Sequence, residues 1–482
     1  MSRIKQLASD TALYGLGSIV PRALNFLLLP LHTRSVFSSE EYGVVTTLYG
    51  LVAFFNIVYL FGMETAYFRF ASQPQADRDK VFRAAMTCVL LISVPLSALL
   101  LVFREPVAAY AYIAHHPEFV VWIVLTMLVD AVVAIPFAQL RQQRKPLLFA
   151  SAKILNVLVQ LGLNYYFLKI DYDPAIGVGY VFLANLIANS MYLLFFIPVL
   201  LRWRPVVDAA LSPKMWRYAY PVMLTGLAGM INEMAPRTLM EWFLPASAGT
   251  EGVLKATGIL GVAYKYGVLM SLAVQAFRFA AEPFFFSHAA DKNSPELFAR
   301  VNHYFVITCC FLLLVVGVNL EWLKLFTGPS FYEGLALVPW LLLAYLLLGV
   351  YYNVSVWFKI TDKTHYGTWI TLAGAMVTIV GNAWLVPQLG YTGSAYAAVL
   401  CYLVMLVLCY LSGQRHHPIP YRVWADSLYV IGTLAWVFVL NHWAWPSLAL
   451  TTAVHGAGIV AWGAVVFWLE RHELRNALAS RT

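Results

Sequence analysis

The feature that most constrains this chain is a series of apolar stretches, each long enough to cross a bilayer as a helix. Such a helix needs about 20 mostly apolar residues. The chain is 61% apolar and only 12% charged, whereas soluble domains carry about 25% charged residues. We predict an all-α membrane protein with about 14 transmembrane helices. The spans are 11–33, 43–66, 82–103, 119–140, 147–168, 176–201, 217–243, 257–281, 298–319, 334–358, 366–387, 391–412, 424–441 and 446–469.

The two longest uncharged runs each exceed the length of one span. They cover residues 366–414 and 427–469. Turn-forming residues within Pro387–Gly393 and Asn441–Pro446 predict a break in each run, because proline and glycine interrupt helices. The N-terminal apolar run resembles a signal peptide, but it is long, contains Arg22 and has no small-residue cleavage pattern. We expect it to be a retained first span.

The distribution of Lys and Arg predicts the orientation of the spans. One set of loops, taken with both termini, carries 22 of these residues, and the alternate loops carry five. Cytoplasmic loops are the basic ones, so both termini are predicted to lie in the cytoplasm of a bacterium and the chain in its inner membrane. The net charge of +8 then reflects topology and favours anionic membrane lipids. It does not indicate a nucleic-acid partner.

The cysteines give no sign of a disulfide framework, a metal site or a cofactor site. All five lie in apolar runs without ligand spacing, as buried cysteines commonly do. The sequence also has no phosphate-binding glycine loop of the Walker A type. We therefore expect no cofactor and no direct use of ATP.

Five cations fall within the predicted spans, where a charge is costly and usually faces water or a partner. They are Arg22, Lys153, Arg237, Lys265 and Arg278. Polar side chains share their helix faces: Asn25 with Arg22, Asn156 and Gln160 with Lys153, and Gln275 with Arg278. This ladder of positive charge suits an anionic group that must cross the membrane. Arginine offers bidentate hydrogen bonds to phosphate, and lysine offers a point charge.

Structural explanations compete with this interpretation. Asp130 lies at a similar depth to Lys153 on the neighbouring span and predicts an ion pair. Glu233 and Glu241 bracket Arg237 at four-residue spacing, although Pro236 would kink that helix. Arg278 and Glu282 stand at i and i+4, which favours an ion pair within the helix. Asp130, Glu64 and Glu233 are the acidic candidates for ion coupling.

Two short matches suggest an internal repeat. Pro21-Arg22 in the first span recurs as Pro236-Arg237 in the seventh, and Phe68-Arg69-Phe70-Ala71 recurs as Phe277-Arg278-Phe279-Ala280. With six spans in each half, both halves enter the membrane in the same sense. We therefore predict a parallel repeat with a site between the halves.

The chain resembles the polysaccharide-export flippases of the MOP superfamily, the Wzx-type O-antigen translocases. The resemblance covers essentially the whole length. It rests on the arginine of the first span, on Glu41-Tyr42-Gly43, and on Gly261–Pro283 with its Gly-x-x-Tyr-Lys start, Phe277-Arg278 and Glu282-Pro283. It implies two six-helix lobes in a V around a cationic cavity, which we place at 1–205 and 206–415, and a C-terminal helix pair and tail at 416–482.

The resemblance also implies what the cavity binds. By similarity, the five cations would contact the pyrophosphate or sugar of an undecaprenyl-linked oligosaccharide during alternating access. The protein would act as a monomer, with polysaccharide polymerase and export machinery as partners. Two transporter alternatives stay open: a lipid II flippase and a MATE-type multidrug cation antiporter, although the latter would need an acidic cavity. A membrane glycosyltransferase or polymerase is the enzyme alternative, but no catalytic constellation surrounds His115-His116 or His416-His417, so we expect no enzyme.

Overall fold

The regular structure is helical throughout. The computed structural model describes residues 3–73, 75–289, 291, 293–443 and 445–479, and this part of the chain contains no strand. Lys292 and Arg481, both counted for the orientation, lie outside the described residues. The α-helices are α1 (Arg3–Asn25), α2 (Leu28–Ser35), α3 (Ser39–Leu60), α4 (Met63–Ala71), α5 (Arg78–Val102), α6 (Arg104–Tyr110), α7 (Pro117–Gln142), α8 (Pro146–Tyr165), α9 (Gly179–Arg202), α10 (Ser212–Thr238), α11 (Met240–Phe243), α12 (Gly249–His288), α13 (Ser294–Val318), α14 (Leu320–Lys324), α15 (Val338–Val354), α16 (Val356–Ile360), α17 (His365–Leu389), α18 (Tyr391–His416), α19 (Val423–His442) and α20 (Leu448–Ala479). A π-helical turn covers Tyr166–Ile170, and 3₁₀ turns cover Ala246–Ala248 and Pro329–Leu337.

The spans make this a multi-pass membrane protein. Within the described residues, 13 helical stretches are long and apolar enough to cross a membrane. The remaining predicted span corresponds to α10, whose 27 residues extend for about 40 Å at 1.5 Å per residue. Its length suffices, but Asn232, Glu233 and Arg237 lower its hydropathy. The prediction of an all-α protein with about 14 transmembrane helices is confirmed, with α10 as its most polar member.

Several spans are interrupted where the backbone turns. In the first span α1 ends at Asn25 and α2 begins at Leu28. The second span breaks between α3 and α4 at Phe61 and Gly62, which have φ of 49° and 72°. A Cβ on Gly62 would lie 2.7 Å from the carbonyl oxygen of Ala219, so glycine also permits the close approach of α10. The breaks predicted at 387–393 and 441–446 are confirmed: Gly390, with φ of 60°, separates α17 from α18, and α19 ends at His442.

The longest helix, α12, lies between the two halves of the chain. Its 40 residues extend for about 60 Å, more than the roughly 40–45 Å of a bilayer with its headgroups. It packs against α1 and α3 on one side and α15 on the other. The contact with α3 is close: a Cβ on Gly258 would lie 2.9 Å from the amide nitrogen of Gly43 and would overlap the carbonyl oxygen of Ser39.

The spans differ greatly in how deeply they are enclosed. The stretch Pro329–Ile360, which contains α15, has an apolar 18-residue segment of which 83% is buried, and it packs against α12, α13 and α18. In the last span, Leu448–Arg471 of α20, only 11% of the corresponding 18-residue segment is buried, and the span packs chiefly against α13 and α19. The second half therefore has its core around α15, and the C-terminal helix lies at its edge.

Candidate functional site

A cavity of about 460 Å³ lies where α1 of the first half meets α10, α12 and α15 of the second. We call it the central cavity. Six residues singled out from the sequence line it: Arg22, Asn25, Glu233, Lys265, Gln275 and Arg278. The structure thus brings together three of the five predicted cations, two of the four supporting polar residues and one of the three acidic candidates.

Arg22 reaches across from the first half to the second. It lies in the last turn of α1, directly after Pro21, and its Nη1 donates a hydrogen bond to Gln275 Oε1 of α12 at 3.1 Å. Among the described residues no carboxylate lies within 4.0 Å of it. Asn25 Oδ1, one turn further along, is buried without a hydrogen-bond partner in the described part of the chain. This end of α1 therefore presents both a cation and an unused acceptor at the cavity.

Arg278 is part of a three-charge cluster at another part of the cavity wall. Its Nε lies 3.4 Å from Glu282 Oε1, which confirms the ion pair expected from the i, i+4 spacing. Glu282 also accepts a hydrogen bond from Lys359 Nζ at 2.7 Å, so two cations share one carboxylate and one positive charge is left over. The guanidinium lies over the ring of Tyr352, 4.6 Å from its centroid, which holds it beside the cavity.

The electrostatic character of the cavity is cationic. Lys265 is exposed on its wall, and among the described residues its ammonium forms neither a hydrogen bond nor an ion pair within 4.0 Å. Three positive charges against the single negative charge of Glu233 leave the lining at +2. Such a surplus attracts anions, and the attraction grows as water is excluded from the site.

Arg237 is not among the residues that line the cavity. Its guanidinium sits over the Tyr264 ring at 4.2 Å, and its Nη2 donates to the main-chain carbonyl of Glu233 at 2.8 Å. In the described part of the chain neither the Glu233 nor the Glu241 carboxylate comes within 4.0 Å of it. The ion pairs expected from the i, i+4 spacing, which would neutralise Arg237, are therefore not formed. Helix α10 ends at Thr238, two residues after Pro236, and Glu241 belongs to the separate helix α11.

Lys153 and its polar neighbours form a different structure within the first half. We call it the α8 seam, and it consists of Asp130, Lys153, Asn156, Gln160 and Asn189. Asn156 Nδ2 donates to Asn189 Oδ1 at 3.0 Å, Asn189 Nδ2 donates to Asp130 Oδ1 at 2.9 Å, and Gln160 Nε2 donates to Asn185 Oδ1 at 3.4 Å. These bonds join α7, α8 and α9 and leave the amides of the seam satisfied.

Within the α8 seam the ammonium of Lys153 is held by aromatic rings. Its Nζ lies 4.2 Å from the Phe137 centroid and 4.7 Å from that of Tyr192. The expected Asp130–Lys153 ion pair is not formed within 4.0 Å in the described part of the chain. Cation–π contacts stabilise desolvated cations, so the aromatic pair takes over part of the role that we expected of Asp130.

The other acidic candidate, Glu64, is already paired. Its carboxylate forms an ion pair with Arg141, whose guanidinium also lies 4.9 Å from the ring centroid of Phe68. The pair joins α4 to the end of α7.

Sequence reasoning missed two parts of this arrangement. Lys359 was counted only as a loop cation, because its link to Glu282 spans 77 residues and has no local pattern. A buried cluster of His303, Asp426 and Glu470 was also missed. The acids are near the ends of apolar spans, and only tertiary packing brings them to the histidine.

Comparison with known proteins adds a family and a fold. A sequence profile of the family described as polysaccharide biosynthesis protein matches residues 7–288, more than half of the chain. No curated protein matches the sequence significantly. The solved structure of the lipid II flippase MurJ in an inward closed conformation aligns with a TM-score of 0.73 and 12% identity, over 95% of this chain and 99% of that one.

Two transporters of the MOP superfamily align over most of their length as well. A MATE family multidrug resistance transporter in an inward-facing conformation gives a TM-score of 0.59 and 13% identity, over 86% of this chain and 95% of that one. A transporter from Pyrococcus furiosus, described as having a binding pocket of reverse polarity, gives 0.57 and 13%, over 89% and 99%. At such low identity these similarities establish the MOP fold, as the sequence predicted.

Proposed function

Because the chain belongs to the polysaccharide biosynthesis protein family, we propose that it is an alternating-access flippase for a lipid-linked oligosaccharide. The substrate is an undecaprenyl-pyrophosphate-linked repeat unit of an O-antigen, capsule or exopolysaccharide. It moves from the cytoplasmic to the outer leaflet of the bacterial inner membrane. The observation that carries this proposal is that Arg22, Lys265 and Arg278 line one cavity between the two halves.

The chemistry of such a substrate fits this cavity. A charged sugar–diphosphate head cannot cross hydrocarbon, whereas its prenyl tail can remain in the lipid. Arg22 and Arg278 offer planar guanidinium donors for phosphate oxygens, and Lys265 adds a point charge. Asn25 and Gln275 offer hydrogen bonds to the head group. Glu233, the acid of the cavity, is the best placed of the three candidates for ion coupling.

Two of the five predicted cations, Lys153 and Arg237, do not line the cavity in this conformation. Lys153 stays in the α8 seam and supports the fold of the first lobe. We propose that Arg237 meets the substrate only when the lobes, 1–205 and 206–415, move apart. The helix pair and tail at 416–482 lie outside that movement.

Lipid II flipping is a second candidate, favoured by the similarity to MurJ. Lipid II also carries a diphosphate, so the cations alone do not separate the two substrates. A multidrug cation antiporter is disfavoured by the +2 lining, and transport without covalent chemistry requires no enzyme activity. The proposed partners are the lipid-linked substrate, membrane lipids and polysaccharide export machinery, with the protein itself a monomer.

The orientation is open to a direct test by cysteine labelling. The five native cysteines are all buried, so their background reaction should be low. We expect Pro117→Cys to react with an impermeant thiol reagent applied outside the cell, and Arg144→Cys to react only after the membrane is opened. The reverse pattern would place the termini outside and contradict the proposed direction of transport.

The function itself is tested in proteoliposomes with a fluorescent lipid-linked oligosaccharide. Head groups that reach the outer leaflet are scored by a membrane-impermeant enzyme or quencher, with protein-free liposomes as the control. We expect protein-dependent flipping that unlabelled oligosaccharide substrate inhibits more strongly than lipid II does. Stronger inhibition by lipid II would favour the second candidate, and flipping equal to that of empty liposomes would contradict both.

A further inference from the structure

A second charged cluster lies apart from the central cavity, where α13, α19 and α20 meet. His303 is 1% exposed, and Asp426 and Glu470 are each 9% exposed. His303 Nδ1 lies 2.5 Å from Asp426 Oδ1, and its Nε2 lies 3.2 Å from Glu470 Oε1. One imidazole ring therefore bridges two carboxylates, one from each of the last two helices. Burying ionisable groups is costly unless they are paired with one another.

The two contacts of His303 determine how many protons the cluster must hold. A neutral imidazole has one N–H and one lone pair, and an ionised carboxylate only accepts. Both ring nitrogens of His303 face carboxylate oxygens at hydrogen-bond distance. With a neutral ring and two ionised acids, one of these contacts would set lone pair against lone pair. The arrangement thus requires one further proton, on the ring or on a carboxyl group.

Neutral side chains donate hydrogen bonds that hold the two carboxylates in place. Asn302 Nδ2 donates to Asp426 Oδ2 at 3.1 Å, and Tyr429 OH donates to Glu470 Oε1 at 2.7 Å. Asn353 of α15 donates in turn to Asn302 Oδ1 at 3.3 Å. All three donors are neutral. The cluster of His303, Asp426 and Glu470 therefore has a charge of −1 with the extra proton and −2 without it.

The other groups that face the cluster come from each packed helix. From α13 itself the further titratable groups near His303 are Tyr304, whose ring centroid lies 5.7 Å from that of the imidazole, Arg300 one turn before it and Cys310 two turns beyond it. Arg422, which precedes α19, lines the same cavity as His303 and Glu470. Helix α12 presents aromatic rings to α13, with Phe285 5.0 Å from Phe298 and Phe277 4.5 Å from Phe305. Arg471 of α20 lies over the Trp468 ring at 5.1 Å.

A cavity gives the cluster access to its surroundings. It has a volume of about 600 Å³ and lies between α19 and α20. His303, Glu470, Tyr429 and Arg422 line its polar part, and apolar residues such as Leu428 and Leu469 line the rest. A proton can thus be exchanged at the cluster without unfolding of the core around α15.

We propose that His303, Asp426 and Glu470 form a proton-binding site whose one exchangeable proton fixes α20 against α13. When the proton leaves, the net charge becomes −2. If the remaining N–H stays with Asp426, the shorter contact, then the ring lone pair and the charge of Asp426 repel Glu470. Helix α20, the least enclosed span, then loses its contact with His303. The proposal concerns the C-terminal helix pair and does not depend on what the central cavity transports.

The protonation state is tested by nitrogen-15 NMR of histidine-labelled protein in liposomes, with infrared spectroscopy of the carboxyl groups. The chain has 11 histidines, and the His303 signal is the one missing from His303→Gln protein. At pH 7 we expect either two protonated ring nitrogens, or one together with a protonated carboxyl band that Asp426→Asn or Glu470→Gln removes. A neutral ring beside two ionised carboxylates would overturn the proposal.

The coupling to α20 is tested by thermal unfolding across pH. A proton that only the folded state binds makes the folding equilibrium constant fall as the pH rises. Above the pH at which the unfolded state has lost that proton, the fall is up to about tenfold per pH unit. Glu470→Gln supplies an amide that satisfies the histidine without the proton, so this pH dependence should disappear. Glu321→Gln, which removes an exposed carboxylate paired with Lys324, is the matched control. The same pH profile in Glu470→Gln and wild-type protein would contradict the proposal.

Discussion

The central cavity and the α8 seam both contain a lysine among amides and at least one acid, yet the structure uses them differently. In the cavity, Lys265 is exposed and forms no ion pair within the described residues, and Arg22 is held only by a hydrogen bond to Gln275. In the seam, Lys153 is enclosed by two aromatic rings and the amides bond to one another and to Asp130. Polar side chains within a span thus do not by themselves indicate a binding site.

The difference has a structural origin. The cavity lies between the halves, where α1 of one half meets α10, α12 and α15 of the other. The seam lies among α7, α8 and α9 of a single half. A surface between two halves can leave polar groups free for a ligand, whereas a surface within one half can satisfy them permanently.

Removing the cavity cation Arg22 should have the largest effect. Charge-assisted hydrogen bonds contribute about 1.5–3 kcal/mol each, so Arg22→Ala should lower the initial flipping rate at least about tenfold. Arg22→Lys should recover part of it if charge dominates, and little if bidentate geometry dominates. The assay is flipping in proteoliposomes at equal amounts of folded protein.

The matched control for Arg22 is Arg204→Ala. Arg204 is exposed and hydrogen-bonds only neighbouring main-chain carbonyls, those of Leu201 and Trp203, within the described residues. Its loss should leave flipping unchanged. Normal flipping by well-folded Arg22→Ala protein would show that the cavity cations are structural, as in the α8 seam.

The second-largest difference between the central cavity and the α8 seam should appear when the contact between the two halves is disturbed. A Cβ at position 258 would overlap backbone atoms of α3, so Gly258→Ala should push α3 and α12 apart. We expect severalfold faster thiol labelling of Ser271→Cys in the cavity wall and a lower flipping rate. Gly162→Ala in α8 adds a Cβ with nothing within 4 Å and should change neither. Unchanged labelling in Gly258→Ala protein would count against a cavity whose width depends on this contact.

Within the α8 seam the expected effect is on stability. Asp130→Asn removes a carboxylate that accepts a hydrogen bond from Asn189 and leaves Lys153 with less compensation. We expect a loss of about 1–3 kcal/mol, the usual cost of an unsatisfied buried group, and a lower melting temperature. Flipping per folded molecule should stay near that of wild type. A large loss of flipping without loss of stability would move Asp130 into the transport mechanism.

The smallest effect should come from a charge outside both regions. Asp208, in the segment between α9 and α10, lies 2.6 Å from Lys80 Nζ. The hydrogen bonds from Lys80 and from the Leu211 amide lower the pKa of this carboxyl. A lowered pKa means that the pair stabilises the folded state at neutral pH, and that this contribution is lost as the pH falls below about 4, the range in which aspartate is protonated. Asp208→Asn should therefore reduce the acid sensitivity of the melting temperature slightly, and an unchanged profile would contradict this assignment.

Much of the fold follows from local sequence. The apolar runs predict nearly all of the spans because each must satisfy its own backbone hydrogen bonds in lipid. Pro387–Gly393 and Asn441–Pro446 mark breaks through backbone preferences that act over a few residues. The ion pair of Arg278 with Glu282 follows from helical spacing alone, and the net cation surplus of the spans follows from counting.

Only the tertiary structure decided which of these charges meet. Lys359 reaches Glu282 and Asp426 reaches His303 across 77 and 123 residues, and helix packing, which has no local signature, sets both contacts. The same packing places Arg22 beside Gln275 and encloses Lys153 between Phe137 and Tyr192. A span's sequence determines that it crosses the membrane, because that depends on its own hydropathy. Whether its polar residues face a cavity or a neighbour depends on how the helices are rotated and joined.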